Sequence, residues 1–492
     1  MRDLFAPDME LKPLRQHQAE AVALLRQSLV KGFRRPVLQL PTGAGKTRTA
    51  AELVNLALEK GNGVAFTVPA ISLIDQTVAA FEDQGITRVN VMQGNHPRRD
   101  PMAKVHVVSV QTLAKRDRPN VGMVICDEAH MQFKPLRQWM QDEPRKPFIG
   151  LSATPWARGM ADYWDDLIQP VTMDKLIADG FLSPFRVFAP THPDLSSVRI
   201  TKGDFNEREA SEAMSDKRIV GDVVSTWKAK AQGLPTLVFA VDLAHAETLQ
   251  TAFMSAGIPM GYCNAHTDRI ERQVLFDRMK AGELAGICNV GTLTTGVDAD
   301  IRCVVLARPT RSEMLFTQMI GRALRPAPGK EYAVILDHAD NHARHGFVTD
   351  IRHDKLLTGQ DRQAPTRKEQ GEKLPKECGK CGALRSGREC LACGFVASRQ
   401  SEIEHEAGEL VEVKGKKKTY TREEKQAWWS QLMMVAMQRG RSKGWASNTY
   451  REKFGVWPVG LDNVHATPSP EVLSYCKAKD IRFAHSRNRR AA

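Results

Sequence analysis

Short runs of valine, isoleucine and leucine recur along the first two thirds of the chain. They are Val37–Leu40, Val64–Val68, Val105–Val110, Val121–Cys126 and Phe148–Leu151, then Thr236–Val241, Met260–Cys263, Gly286–Val290, Cys303–Ala307 and Tyr332–Leu336. Apolar residues at consecutive positions describe strands covered on both faces, as in a parallel sheet flanked by helices. Helical stretches separate the runs, and the two groups predict two tandem α/β lobes, at 1–170 and 193–356. Between them, Asp174 to Leu182 reads as a helix with a Gly180 stop, so 171–192 is expected to pass the chain from one lobe to the other. Next, 357–376 turns polar, with Pro365, Gly371 and Pro375, and reads as a linker. It leads to a cysteine-rich module at 377–397, a charged linker at 398–418, a small helical domain at 419–480 and a basic tail at 481–492. In the helical domain Thr421 and Glu424 form a capping box. The helix it opens carries Trp428, Trp429, Leu432, Met433, Val435 and Ala436, and Gly440 stops it.

The 492 residues are 42% hydrophobic, enough for several cores. No apolar run reaches the length of a membrane span, and Met1 to Lys12 lacks the apolar stretch of a secretion signal. A cytoplasmic chain with no membrane partner is therefore expected. Of the nine cysteines, Cys126, Cys263, Cys288 and Cys303 lie in apolar strand-like runs, as reduced buried thiols do. The net charge is +13, and from Asp361 onward 26 Lys and Arg stand against 16 Asp and Glu. Most of the excess positive charge thus belongs to the last quarter of the chain, where a polyanionic partner would be met.

Pro41-Thr42-Gly43-Ala44-Gly45-Lys46-Thr47 follows the first strand and opens a helix over 48–58. A helix start presents unpaired N–H groups and positive dipole, and glycines let the backbone close around phosphate oxygens. Lys46 would reach the β/γ-phosphates and Thr47 would offer its hydroxyl to Mg²⁺. Leu40 stands where the first glycine of the strict P-loop pattern belongs. Farther on, Asp127 and Glu128 follow an apolar strand. Adjacent carboxylates at that end of a strand, in a P-loop domain, suit Mg²⁺ binding by Asp127 and polarisation of an attacking water by Glu128. Alone, the same residues would be an exposed acidic turn. In Gln318-Met319-Ile320-Gly321-Arg322-Ala323-Leu324-Arg325, two arginines three apart are expected on one helical face, able to reach phosphate oxygens bidentately.

The PTGAGKT loop, Asp127-Glu128-Ala129-His130 and Ser152-Ala153-Thr154-Pro155 occur in the order found in superfamily-2 helicases, which this chain resembles from roughly residue 10 to 345. The spelling is similar to restriction-enzyme motors and DNA-repair translocases, of phage or prophage type, more than to DEAD-box RNA helicases. The resemblance implies two RecA-like lobes closing on ATP and Mg²⁺. In that scheme Gln18 reads the adenine base, while Thr42, Gly43, Ala44, Gly45, Lys46 and Thr47 hold the phosphates. Ser152 and Thr154 couple hydrolysis to movement. Val68-Pro69 with Leu73 to Gln76 resembles motif Ia, and Ser109 to Leu113 resembles motif Ib, which places Pro69, Gln111 and Thr112 on a nucleic-acid backbone. Val238 to Ala240 resembles motif IV. Gly291 to Asp298 resembles motif V, with Thr292 on nucleic acid and Gly296 and Asp298 at the nucleotide. Gln318, Arg322 and Arg325 match motif VI as catalytic residues, the arginines acting as fingers on the developing γ-phosphate charge. His338, His342, His345 and His353 have no cysteine among them and read as a polar loop.

Cys378-x2-Cys381-x8-Cys390-x2-Cys393 has the spacing of four thiolates on one structural Zn²⁺. Neither CxxC pair opens a thioredoxin-like helix. Glu412-Val413-Lys414 spells half of a nuclease signature, but no partner aspartate precedes it on a strand, and no nuclease is expected. Arg441, Lys443 and Arg451 interleave with Trp445, Tyr450, Phe454 and Trp457, a mixture suited to phosphate contact and base stacking.

The sequence therefore points to an ATP-dependent DNA helicase or translocase, with branched or forked DNA among its candidate structures. Its cofactors would be ATP, Mg²⁺ and structural Zn²⁺. The C-terminal modules could contact replication or recombination proteins in a bacterial or phage-infected cell. An RNA helicase is the rival within the class. A nucleotide-gated binding clamp is the rival outside it, although a clamp has no need of Glu128, Arg322 and Arg325 together. A restriction motor subunit would require a nuclease that the chain does not spell.

Overall fold

A computed structural model describes residues 13–94, 96–201, 203–293, 299–361, 375–387, 389–396, 420–454, 456–477 and 479–480, without the side chain of Ser72. The charged linker at 398–418, the tail at 481–492, most of the linker at 357–376, and Gly296 and Asp298 lie outside the described residues. Two compact units divide the chain, residues 1–399 and 400–492.

The apolar runs of the first lobe become β1 (Pro36–Gln39), β2 (Val64–Val68), β4 (Val105–Ser109), β5 (Met123–Cys126) and β6 (Phe148–Ser152). β3 (Val89–Met92) and the shorter β7 (Asp166–Ile168) add the two edges. All pairings are parallel, in the order β3-β4-β2-β5-β6-β1-β7. This order decides the chemistry. Strands β5, β6 and β1 lie side by side, with Val37 and Cys126 flanking Gly150 in register, so the segments leaving their C-terminal ends emerge together. Ligands of open parallel sheets bind at such ends. Gly150 is required here, because an added Cβ would come within 3.0 Å of Trp164 and Ala129.

The second lobe has a six-stranded parallel sheet. Its strands are β8 (Phe185–Phe188), β11 (Thr236–Phe239), β12 (Met260–Cys263), β13 (Gly286–Asn289), β14 (Cys303–Leu306) and β15 (Ala333–Asp337), while β9 (Ile200–Thr201) and β10 (Asp204–Phe205) form a separate hairpin. The order is β12-β13-β11-β14-β15-β8. Strand β8 lies within 171–192, so the expected passage contributes an edge strand to this sheet. Cys126, Cys263, Cys288 and Cys303 are fully buried.

Three of the four histidines expected in a polar loop, His338, His342 and His345, are instead interior, while His353 is half-buried with its Nε2 2.7 Å from Glu313 Oε2. His342 Nδ1 lies 2.8 Å from Asp337 Oδ2, His345 Nε2 lies 2.9 Å from the Thr310 carbonyl, and His338 Nδ1 lies 2.8 Å from Thr191 Oγ1. Both His342 and His345 pack their rings on Phe316, in the helix Glu313–Gly321. Each histidine finds a fixed polar partner, which offsets the cost of burial. After that turn the chain returns to the first lobe, where Ala161 N donates to the Leu357 carbonyl at 2.9 Å and Leu356 packs with Trp139 and Trp164.

The cysteine module is a small hairpin, β16 (Lys376–Glu377) with β17 (Leu384–Arg385), packed near Phe188 of β8. In the second unit the helix Arg422–Gln438 starts from the expected capping box, with Glu424 N donating to Thr421 Oγ1 at 3.2 Å and Thr421 N to Glu424 Oε2 at 2.8 Å. Trp428, Trp429 and Leu432 pack inward with Tyr450 of the helix Lys443–Phe454. No helix among the described residues is long and apolar enough to cross a membrane.

Candidate functional site

The loop after β1 turns through Gly43 and Gly45, both at φ 87°, a conformation that glycine adopts without the Cβ penalty. An added Cβ on Gly43 would come within 2.7 Å of Leu182, and one on Gly45 would collide with the Gln18 amide. Lys46 and Thr47 then begin the helix Lys46–Glu59. After β5, Asp127 and Glu128 arrive beside them. Glu128 has φ 47° and ψ 51°, a left-handed conformation that costs a non-glycine residue about 1–3 kcal/mol and persists where surrounding structure enforces it.

These residues and two from the second lobe line one cleft of about 500 Å³. Thr42, Gly43, Gly45, Lys46, Thr47, Asp127 and Glu128 form one wall, and Arg322 and Arg325 the other. Burial pushes the Asp127 carboxyl pKa upward, the neighbouring Glu128 carboxylate adds to this, and Lys46 opposes it. A group so placed gains by meeting further positive charge. Glu128 Oε2 is buried without a hydrogen-bond partner among the described residues, 3.4 Å from His130 Nδ1.

His130, unassigned by the sequence reading, joins three motifs. Its Nδ1 lies 2.9 Å from Ser152 Oγ and its Nε2 3.5 Å from Gln318 Nε2, while Gln318 Nε2 donates to Thr154 Oγ1 at 3.3 Å. Ser152 Oγ also accepts from Thr154 N at 3.1 Å. One short network thus links the acidic pair to the helix Glu313–Gly321 of the other lobe, and Gly321 of that helix packs against Thr42 of the phosphate loop.

One expectation needs revision. Arg322 and Arg325 do not share a helical face: the helix ends at Gly321 and Arg325 lies past it in a bend before Pro326. A residue preceding proline is disfavoured in the α region, which keeps Arg325 itself out of a helix. Gln18, expected at a base edge, has its amide engaged elsewhere. Its Nε2 donates to the Ala44 carbonyl at 3.1 Å and its Oε1 accepts from Arg15 N at 3.0 Å, so it braces the phosphate loop. His17 Nε2 reaches the same carbonyl at 2.9 Å. The cleft wall carries Arg15 and Phe181 instead, with the guanidinium 4.6 Å from the ring centroid. No periodicity marks Phe181, which comes from the connection between lobes.

Among the residues expected on nucleic acid, Gln111 Nε2 donates to the Pro69 carbonyl at 2.8 Å, stapling those two segments together. Thr112 is buried, its hydroxyl 2.7 Å from Ser109 Oγ, and Thr292 Oγ1 lies 3.7 Å from Cys263 Sγ. Nearby, Asp75 pairs with His96 at 3.0 Å and with Arg269 of the second lobe. In the second unit Arg441 is held by Asp480 at 2.7 Å and lies over Trp445, Lys443 is exposed, and Arg451 lies over Trp457, which is 48% exposed.

The four module cysteines bring their sulfurs within 4.8 Å of one another. The Cys378–Cys393 and Cys381–Cys390 sulfur pairs are each 3.7 Å apart.

Comparison with known proteins agrees with this geometry. Residues 11–157 match the family described as "Type III restriction enzyme, res subunit", and residues 218–327 match the helicase conserved C-terminal domain. The first lobe thus matches a restriction-enzyme res-subunit domain and the second a helicase C-terminal domain, the two domains of a helicase motor. Its relatives include a 51.5 kDa protein of a Lactococcus phage, 29% identical over 385 residues, which are 75% of this chain and 79% of that one. IRC3 of Saccharomyces cerevisiae is 31% identical over 354 residues, 66% of this chain and 51% of IRC3. The ATP-dependent DNA helicase uvsW of Enterobacteria phage T4 is 23% identical over 330 residues, 63% of this chain and 66% of uvsW. The chain therefore spans most of the Lactococcus phage protein and about half of the yeast one. Among solved structures, the type ISP restriction-modification enzyme LlaBIII bound to DNA shares the fold, with a TM-score of 0.50 and 16% identity over 67% of this chain and 28% of that one. These helicase domains and the ATP-dependent helicase relatives mark the chain as an ATPase.

Proposed function

We propose that the chain is an ATP-dependent DNA helicase or translocase in which ATP binding closes the cleft between its two lobes and hydrolysis reopens it. One observation carries the reading: residues of the phosphate loop, the acidic pair and motif VI, drawn from both lobes, line a single cleft. In this reading the backbone from Thr42 to Gly45 cradles the phosphates and Lys46 neutralises them. Thr47 and Asp127 supply the hydroxyl and carboxylate oxygens that suit Mg²⁺, which would offset charge on the phosphates. Glu128 accepts a proton from the attacking water, and Arg322 and Arg325 stabilise charge that develops at the γ-phosphate. Loss of that phosphate is transmitted through His130, Ser152, Thr154 and Gln318 to the second lobe. Because Pro69, Gln111 and Thr112 belong to one lobe and Thr292 to the other, opening and closing moves a bound strand. The likeness to a phage DNA helicase favours DNA over RNA as that strand. Arg451 with Trp457 in the second unit adds a basic and aromatic contact outside the motor.

The direct test is ATP-dependent release of a labelled strand from forked DNA, set beside the matching RNA duplex. Release from DNA alone is expected, and release from RNA alone would overturn the assignment. Gln318→Leu should leave appreciable ATP hydrolysis yet slow release at least about tenfold, since the variant keeps the arginines and severs the link between lobes. Equal release by the variant and the native chain would refute the coupling role.

The module fits a structural Zn²⁺, because a tetrahedral site with metal–sulfur distances of about 2.3 Å separates its sulfurs by about 3.8 Å, and four cysteines leave no open position. Elemental analysis is expected to find one zinc per chain. Cys390→Ser should lose it and expose the module to protease, while retaining the core ATPase. Retention of full zinc by Cys390→Ser would contradict this assignment.

A further inference from the structure

Arg325 lies beyond the helix Glu313–Gly321, so the helix does not fix its backbone. The chain turns away at Pro326, and the carbonyls of Ala323 and Arg325 have no successors in the helix to pair with them. Lys330 comes back to meet them. Its Nζ donates to the Ala323 carbonyl at 2.6 Å, the Arg325 carbonyl at 2.7 Å and the Ile301 carbonyl at 2.7 Å. All three ammonium donors are used.

The third bond reaches a different part of the lobe. Ile301 lies just before β14 and soon after the motif V segment, so one ammonium ties the end of motif VI to the chain leaving motif V. Neighbouring contacts hold the same loop. Arg302 donates to the Pro328 carbonyl at 2.7 Å and the Gly329 carbonyl at 3.2 Å, and Ser183 N donates to the Leu324 carbonyl at 2.8 Å. Burial pushes the Lys330 pKa down to about 8, with Asp300 opposing and Arg302 and Arg325 adding to the fall. Keeping a half-buried ammonium among two guanidinium groups is costly, and an apolar side chain would fill such a space at lower cost if packing alone were required.

We propose that Lys330 is a positioning residue for Arg325, holding the finger's backbone so that its guanidinium meets the γ-phosphate when the cleft closes. The inference rests on the reading of Arg325 given above. Small displacements of a catalytic group are enough to matter, so Lys330→Met should lower DNA-stimulated kcat roughly 10- to 100-fold. KM for ATP should move less than about threefold, because the interaction lost belongs to the transition state. Lys330→Arg, which keeps donors at the same place, should recover most of the rate.

The experiment is a double-mutant cycle in the full-length chain: Lys330→Met, Arg325→Ala and the pair, each measured for kcat, KM, thermal unfolding and DNA binding. If Lys330 acts through Arg325, the pair should be no slower than Arg325→Ala alone. Multiplying losses, or a Lys330→Met kcat equal to that of the native chain, would overturn the proposal. An Arg325→Ala chain with native kcat would instead refute the finger itself, and the proposal with it. Should Lys330→Met not fold, Lys330→Gln, which can span fewer of the three carbonyls, carries the same expectation and the same refutation.

Discussion

Glu128→Gln is expected to reduce DNA-stimulated ATP hydrolysis by roughly 10²- to 10⁴-fold, the range of a general base, while leaving DNA binding nearly intact. The substitution is almost isosteric and removes only the ability to take a proton. Two features mark this carboxylate as more than an acidic surface residue: its left-handed backbone, and a buried oxygen without a hydrogen-bond partner among the described residues. Asp127, directly before it, lines the cleft half-buried near Lys46 and is suited to a cation, so the two carboxylates take different parts despite their adjacency. The check is steady-state turnover at saturating ATP, alongside an ATP-binding measurement. Native turnover by Glu128→Gln would show that another group activates the water. Slow turnover caused by lost ATP binding would give Glu128 a structural part.

Arg322→Ala and Arg325→Ala come second. Each should lower kcat by about 10³-fold or more, as arginine fingers do, with ATP binding to the first lobe preserved. The effect should be larger than any charge-neutralising change elsewhere on the second lobe, because among the described residues of that lobe these two arginines line the cleft that holds Lys46 and Glu128. Lysine at either position should restore little, since an ammonium cannot reproduce a planar bidentate contact. Single-turnover hydrolysis with prebound ATP separates loss of chemistry from loss of affinity. Unchanged single-turnover rates in both variants would remove the arginines from the reaction.

The chemistry of this chain was legible where it is local. The phosphate loop, the acidic pair and Ser152 to Pro155 each follow a consecutive apolar run, and parallel topology brings the ends of such runs to one edge. The arginines were legible as residues but not as geometry, because the helix ends at Gly321, before either arginine, and Pro326 keeps Arg325 out of the α region. Strand β8 was hidden because Phe185-Arg186-Val187-Phe188 offers one β-branched residue and takes its strand character from β15. Gln18 and the interior histidines show a second limit. Polar residues advertise hydrogen-bonding capacity in sequence but not their partners, and here the partners are Ala44, Asp337 and Thr310, all distant or on another element. Phe181 and Lys330 acquire meaning only from what folds beside them.

The most direct test of a DNA-driven motor is steady-state ATP hydrolysis by the purified chain at fixed salt, alone and with single-stranded DNA, forked duplex DNA and RNA. Strong stimulation by DNA, with a forked or single-stranded form exceeding RNA, is the predicted result. Stimulation by RNA alone would contradict the DNA assignment, and hydrolysis indifferent to every nucleic acid would contradict the motor itself.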